Sequence, residues 1–210
     1  MKEGYGKLPH RPFRHIPMHI VYRLKGSLPQ SVIDQLRSQQ TELRLQYAPT
    51  VQGRALAAEA FEEKLDSALH ARSNGPYHLA DPSIAKLILN SWTFIAEQLG
   101  VLVYTVCVMS NHVHVVARSA SGLDIDAGLV MGKHKSFTAS SANKILGRVG
   151  KSFWEVSYFD RDIREGTFDT VMWYVLNNPV TCGLVTHWEE WPYTYLHPDY
   201  ADLYRRSNHP

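Results

Sequence analysis

The chain has 210 residues, 44% hydrophobic and 20% charged, with a formal net charge of +2. This predicts one globular domain over 1–210 and excludes a chain that is mainly disordered. No apolar run reaches the ~18 residues of a membrane span, Met1 to Lys7 shows no apolar signal segment, and Cys107 with Cys182 makes neither a disulfide framework nor a four-cysteine zinc site, so a cytoplasmic protein is expected.

Residues 1–15 read as an irregular basic arm containing Lys2, Lys7, Arg11 and Arg14. Met18 to Leu24 alternates: Met18, Ile20, Tyr22 and Leu24 point one way, His19, Val21 and Arg23 the other, as in a half-buried strand. Ser31 to Tyr47 and Ala55 to Ala71 read as helices, the first ended by Pro49. Ser73-Asn74-Gly75-Pro76 is a turn cluster. The best-punctuated helix follows: Asp81 is an N-cap, Pro82 suits the first turn, Ile84, Leu87, Ile88, Trp92, Ile95 and Leu99 share one face, and Gly100 stops it. Val101 to Met109 and His112 to Ala117 read as a hairpin turning at Ser110-Asn111. A basic helix is expected at about 130–146 and a short one at 167–177, halted by Pro179. The aromatic tail from Trp188 to Tyr195 reads as irregular. Helices mixed with an antiparallel hairpin predict an α+β fold.

Charge is segregated along the chain. Met131 to Phe153 holds no acidic residue but has Lys133, Lys135, Lys144, Arg148 and Lys151, whereas Glu59, Glu62, Glu63 and Asp66 gather elsewhere. Such a chain can present a phosphate-binding face while staying nearly neutral overall; ordinary solvated charge is the alternative. Lys133-His134-Lys135-Ser136-Phe137-Thr138 mixes basic and hydroxyl side chains of the kind that contact nucleic-acid backbone.

Two further groups could carry chemistry. In His112-Val113-His114 the imidazoles share one face of a strand, which is half of a divalent-metal site or simply a pair of partly buried histidines. Tyr174 and Asn178 are one helical turn apart. A tyrosine can attack phosphorus, but with a free pKa near 10 it needs the phosphate polarised, typically by a metal to which Asn178 could offer its carbonyl. The alternative is a core stripe with a C-cap.

In order and spacing, the sequence resembles the single-tyrosine transposases of the HUH endonuclease superfamily, nearest the IS200-like, REP-associated branch. The resemblance runs through His19-Ile20-Val21-Tyr22-Arg23, Tyr77-His78-Leu79-Ala80-Asp81-Pro82, Val108-Met109-Ser110-Asn111-His112-Val113-His114-Val115-Val116, Lys135-Ser136-Phe137-Thr138-Ala139, Ser152-Phe153-Trp154-Glu155, Tyr158-Phe159-Asp160-Arg161-Asp162-Ile163-Arg164, and Tyr174 with Asn177-Asn178-Pro179-Val180. Gly183-Leu184-Val185 and Trp191-Pro192 close it. The resemblance implies a ferredoxin- or RRM-like antiparallel sheet with helices on one face and a metal site on the sheet. It implies His112, His114 and Asn178 as ligands to Mg²⁺ or Mn²⁺, and Tyr174 as the nucleophile that leaves a 5′-phosphotyrosine and a free 3′-hydroxyl on single-stranded DNA. The implied partner is a DNA hairpin of palindromic repeats, bound by a homodimer or a monomer. Candidate DNA contacts are Arg23, Lys133, Lys135, Ser136, Thr138, Lys144, Arg148, Lys151, Arg161 and Arg164.

The sequence departs from the family in places. Ser110 replaces a common proline, and Asn178 is shorter than the glutamine of some relatives. A helical insertion at about 30–80 has no assigned role. Tyr158 is the rival nucleophile, while Tyr193 and Tyr195 read as packing residues. Two other functions are weighed against the transposase: a non-catalytic hairpin-binding module of the same fold, and an unrelated metal hydrolase built on His112 and His114.

Overall fold

The structure, a computed structural model, describes residues 10–71 and 75–205. The basic Lys2 and Lys7 and the Ser73-Asn74 part of the turn cluster lie outside the described residues. In chain order the elements are β1 (Met18–Arg23), α1 (Gln30–Gln46), α2 (Val51–His70), α3 (Pro82–Leu99), β2 (Val101–Val108), β3 (His112–Ser119), α4 (Ala127–Ile145), β4 (Phe159–Asp162), α5 (Phe168–Leu176), α6 (Asn178–Thr181), β5 (Thr194–Leu196) and α7 (Ala201–Tyr204). The strands form one antiparallel sheet in the order β4-β1-β3-β2-β5. The fold is α+β, as the sequence pattern indicates.

Local chemistry sets the best-defined elements. The Asp81 carboxylate accepts from the Ser83 N–H, Pro82 opens α3, and Gly100 ends it at φ 66°, in the left-handed region that glycine enters without steric cost. The β2–β3 hairpin then closes tightly, with the Met109 N–H donating to the His112 carbonyl at 2.9 Å. A register shift between Val103 and Thr105 changes the phase of β2. Val101 and Val103 before it and Val106 and Val108 after it therefore all reach the same core.

That core lies between one face of the sheet and α3 with α4. Met18, Ile20, Tyr22 and Leu24 of β1, with Val113, Val115 and Ala117 of β3, meet Ile84, Ile88, Trp92 and Ile95 of α3 and Val130 and Met131 of α4. Burying each large aliphatic side chain contributes about 1.5–3 kcal/mol. The other face carries His112, His114, His19 and Arg161, and it too is covered. There α5 packs Val171, Met172 and Val175 against Cys107, Met109 and Val116. The α1–α2 hairpin packs Leu36 and Leu69 against Val21 of β1. For this reason β1, expected to be half-buried, is buried on both faces.

The segment at about 30–80 forms the α1–α2 hairpin. Thr50 caps α2 by accepting from the Gly53 N–H at 3.0 Å. A Cβ at Gly53 would stand 2.0 Å from the Ala48 carbonyl oxygen, so only glycine lets the chain turn this closely. Four short elements escaped the sequence reading: β4, four residues of Phe-Asp-Arg-Asp, the four-residue helices α6 and α7, and the three-residue β5.

Candidate active site

His112 and His114 project from β3 onto the face covered by α2 and α5. Both are almost fully buried. Their Nε2 atoms converge on one oxygen of Asp66 in α2, at 3.6 Å from His112 and 3.2 Å from His114. Asp66, His112 and His114 each offer a ligand atom, all within 4.8 Å of one another. Asp66 Oδ1 is the one protein oxygen that both Nε2 atoms face.

The far side of each ring explains which nitrogen is free. The Asn111 amide donates to the Leu69 carbonyl at 3.1 Å, so its oxygen faces His112 and accepts from His112 Nδ1–H at 2.6 Å. That leaves the His112 Nε2 lone pair in the site. His114 is set through a longer chain. The Glu62 carboxylate, held by Arg161 at 2.6 and 2.8 Å, takes the proton of His19 Nδ1. The Nε2 of His19 then accepts from His114 Nδ1 at 3.1 Å. His114 Nε2 is thereby also a bare lone pair.

The electrostatics agree with this assignment. Burial holds the His112 pKa well below its usual value, with a further push from His114, against the opposing pull of Asp66. Burial also lowers that of His19, opposed by Glu62. Burial works to raise the Asp66 pKa, but His114, His112 and His70 together bring it below the ordinary carboxylate range. A neutral His112 and an ionised Asp66 are in the protonation states that metal ligands require.

The nucleophile candidate arrives from α5. The Tyr174 hydroxyl donates to Asp66 Oδ2, and its ring stands edge-on to His114 and His19 at centroid distances of 6.0 and 6.1 Å. Burial, then the Asp66 charge, raise its pKa. Asn178, at the start of α6, donates from Nδ2 to Asp66 Oδ2 at 2.9 Å and offers Oδ1 to His70 at 2.9 Å. The structure thus brings Asn178 to the site, but its amide is engaged by Asp66 and His70. Tyr158 is elsewhere: it packs against the core on the opposite face and stacks on His10 at 3.6 Å.

The expected DNA contacts divide by position. Lys133, Ser136, Lys144 and Lys151 are exposed. Thr138 is not a surface residue; its hydroxyl donates to the His134 carbonyl and accepts from the Trp154 indole. Arg161 is also inside, committed to Glu62. Arg164 forks onto Glu59 at 2.8 and 3.0 Å, and Arg23 lies 3.5 Å from Glu155. Lys135 donates to the carbonyls of Glu155 and Val156, and burial brings its pKa down to about 8. Arg148 pairs with His78.

Sequence reasoning missed Asp66, Glu62 and His70 as site residues. Glu59, Glu62, Asp66 and His70 fall at helical spacing on one side of α2, and His19 points to the histidine side of β1, so a signal was present.

Asp66 Oδ1 and the Nε2 atoms of His112 and His114 are buried and converge, and all three can act as acceptors toward a cation. Two imidazoles and a carboxylate suit a divalent transition ion or Mg²⁺-like metal. A histidine pair on the sheet thus faces a carboxylate from one helix and a tyrosine hydroxyl from another. The family described as transposase IS200 like matches residues 77–178, which hold both histidines, Tyr174 and Asn178. A solved structure of a REP-associated tyrosine transposase bound to a REP hairpin is similar over 98% of this chain and 88% of its own, at 13% identity and a TM-score of 0.57. It establishes a shared fold. A second structure, from Deinococcus radiodurans R1, covers 85% of this chain and 98% of its own at 14% identity, with a TM-score of 0.31, too low to argue a common fold. No curated protein matches the chain. Among the described residues no helix is long and apolar enough to cross a membrane.

Proposed function

We propose that the chain is a metal-dependent endonuclease and strand transferase acting on single-stranded DNA next to hairpins of palindromic repeats. The observation that carries this reading is the shared carboxylate: the oxygens of Asp66 face the histidine pair on one side and the Tyr174 hydroxyl on the other. A bound Mg²⁺ or Mn²⁺ would polarise the scissile phosphate and offset the developing negative charge. His112 and His114 would hold it, their lone pairs aimed by Asn111 and by the His19–Glu62 pair. Tyr174 supplies the attacking oxygen. Its O–P bond forms as the P–O3′ bond breaks, which leaves a 5′-phosphotyrosine and a 3′-hydroxyl. Because the phosphoester is kept on Tyr174, rejoining needs no external energy source.

Tyr174 and the histidines meet within one chain, which supports action in cis. Lys133, Ser136 and Lys144 lie on the outer side of α4, behind the sheet from the histidines. Duplex contacts and cleavage would then occupy opposite faces, joined by the single strand.

The test is incubation of the protein and Mn²⁺ with labelled single-stranded DNA carrying the palindromic repeats that flank its gene. The expected result is a detergent-resistant, metal-dependent adduct that maps to Tyr174 and disappears in Tyr174→Phe. An adduct on another residue, or hairpin binding without any adduct across metals, would overturn the reading in favour of a different nucleophile or a binding module.

A further inference from the structure

The geometry points to a working part for the insertion: we propose that α2 completes the metal site, Asp66 being the third ligand through Oδ1 and the residue that holds the Tyr174 hydroxyl through Oδ2. This rests on the reading of the histidine pair and Tyr174 given above. It gives Asn178, one turn beyond the tyrosine, a different task, that of steering the carboxylate.

The first argument is the balance of donors and acceptors. Asp66 Oδ1 is faced by His112 Nε2 at 3.6 Å and His114 Nε2 at 3.2 Å, and the tautomers set by Asn111 and His19 make all three acceptors. A proton on one ring would supply one donor for three lone pairs. A divalent cation satisfies all three together, and it repays the burial of a carboxylate among imidazoles.

The second argument is that Asn178 is already engaged at both ends of its amide. Its amide donates to Asp66 Oδ2 and accepts at His70, so both of its polar atoms are used in orienting Asp66 and His70. Oδ1 of Asn178 is turned to His70, whereas Oδ1 of Asp66 is turned to the two histidines.

The third argument is how α2 is held. Glu59 pairs with Arg164, Glu62 with Arg161 and His19, and Asp66 with the cluster, along one side of the helix. Sliding α2 by one turn, about 5.4 Å, would unmake all of these contacts at once. The charged stripe therefore fixes the register of the insertion, while Leu69 and its apolar neighbours supply adhesion. A segment that only padded the fold would need no such row of matched charges.

The experiment is Mn²⁺ binding to the full chain, by calorimetry and electron paramagnetic resonance, for the native protein, Asp66→Asn, Asn178→Ala and His112→Ala. Outer partners of metal ligands typically contribute 10–100-fold in affinity. Asp66→Asn is expected to lose more than about 100-fold, alongside His112→Ala, and Asn178→Ala about 10-fold, as such a partner would. Melting curves check each variant. If Asp66→Asn does not fold, the infrared difference spectrum of the native protein with and without Mn²⁺ decides: a perturbed carboxylate band supports the assignment and an unperturbed one overturns it. Native-like Mn²⁺ affinity in Asp66→Asn overturns the inference and leaves the proposed function standing. So does a loss in Asn178→Ala as deep as in His112→Ala while Asp66→Asn still binds. Absence of Mn²⁺ binding by the native protein removes the metal reading itself, and this inference with it.

Discussion

The sheet buries histidines on both faces, and the two sides treat them in opposite ways. On the α3–α4 side, His134 sits between the Tyr22 hydroxyl at 2.7 Å and the Ser91 hydroxyl at 2.9 Å, and the Trp92 indole donates to the same tyrosine. Both ring nitrogens are used, and burial brings its pKa down to about 3. On the α2–α5 side, His112 and His114 each have one nitrogen fixed from behind and the other left bare. Burial alone therefore does not separate a structural histidine from a ligand. What separates the two sides is that each His134 nitrogen meets its own hydroxyl, whereas the Nε2 atoms of His112 and His114 converge on one carboxylate oxygen.

The comparison breaks most sharply by deleting a ring from each face. His114→Ala is expected to reduce Mn²⁺ binding by more than about 100-fold, since it removes a ligand rather than its outer partner. His134→Ala leaves metal binding unchanged but strands two buried hydroxyls beside a cavity, a cost of about 2–4 kcal/mol. For a chain of this size that lowers the melting temperature by about 5–15 °C. Calorimetry with Mn²⁺ and thermal unfolding, run on both variants, read the two effects separately. Equal loss of metal binding in both would erase the distinction.

A smaller effect should follow from disturbing the chain behind His114. Glu62→Gln keeps the shape but can present an amide N–H to His19, which removes the reason for His114 Nε2 to be the bare atom. The expected loss of Mn²⁺ affinity is about 10–100-fold, and calorimetry checks it. Unchanged affinity would mean that the site does not depend on the tautomer of His114.

The pH dependence of stability sharpens the same contrast. The His134 pKa lies near 3 in the folded state against 6.5 as the ordinary value. The unfolded chain therefore binds the extra proton first as pH falls. Stability from this group is full above pH 6.5 and is lost progressively as pH drops toward 3, with a limiting slope of about 1.4 kcal/mol per pH unit. Urea unfolding of the native protein and His134→Gln between pH 7 and pH 5 should show a shallower slope in the variant. Parallel slopes would contradict a permanently neutral His134.

What was legible in the sequence follows the range of the forces involved. Asp81, Pro82 and Gly100 fix α3 through contacts within a few residues, so its limits could be read directly. The shared direction of His112 and His114 follows from strand geometry alone. Asp66 could not be placed, because its role depends on α2 docking across β1 and β4. The strands β4 and β5 are too short to carry a periodic pattern; pairing with β1 and β2 makes them strands. The run from Lys133 to Thr138 read as a single basic surface, yet helical periodicity divides it. Val130, Met131, His134 and Thr138 face inward, and Lys133, Ser136 and Phe137 face out. Arg161 and Arg164 showed their charge in the sequence but not their partners on α2.

That division yields the smallest expected effect. Exposed Lys133 and Lys144 on α4 are free to neutralise phosphates, whereas Arg161 already answers a buried carboxylate. Each phosphate contact contributes a slope of roughly 0.7–0.9 to the dependence of log affinity on log salt. Lys133→Ala and Lys144→Ala should each lower that slope by about this much in hairpin titrations and weaken binding only several-fold, with melting temperature and Mn²⁺ affinity unchanged. Arg161→Ala should leave the salt slope as it is and instead lower stability, because Glu62 would remain buried without its cation. If Arg161→Ala lowered the salt slope as the lysine variants do, its guanidinium would have to reach DNA. The ion pair with α2 would then have to open when DNA binds.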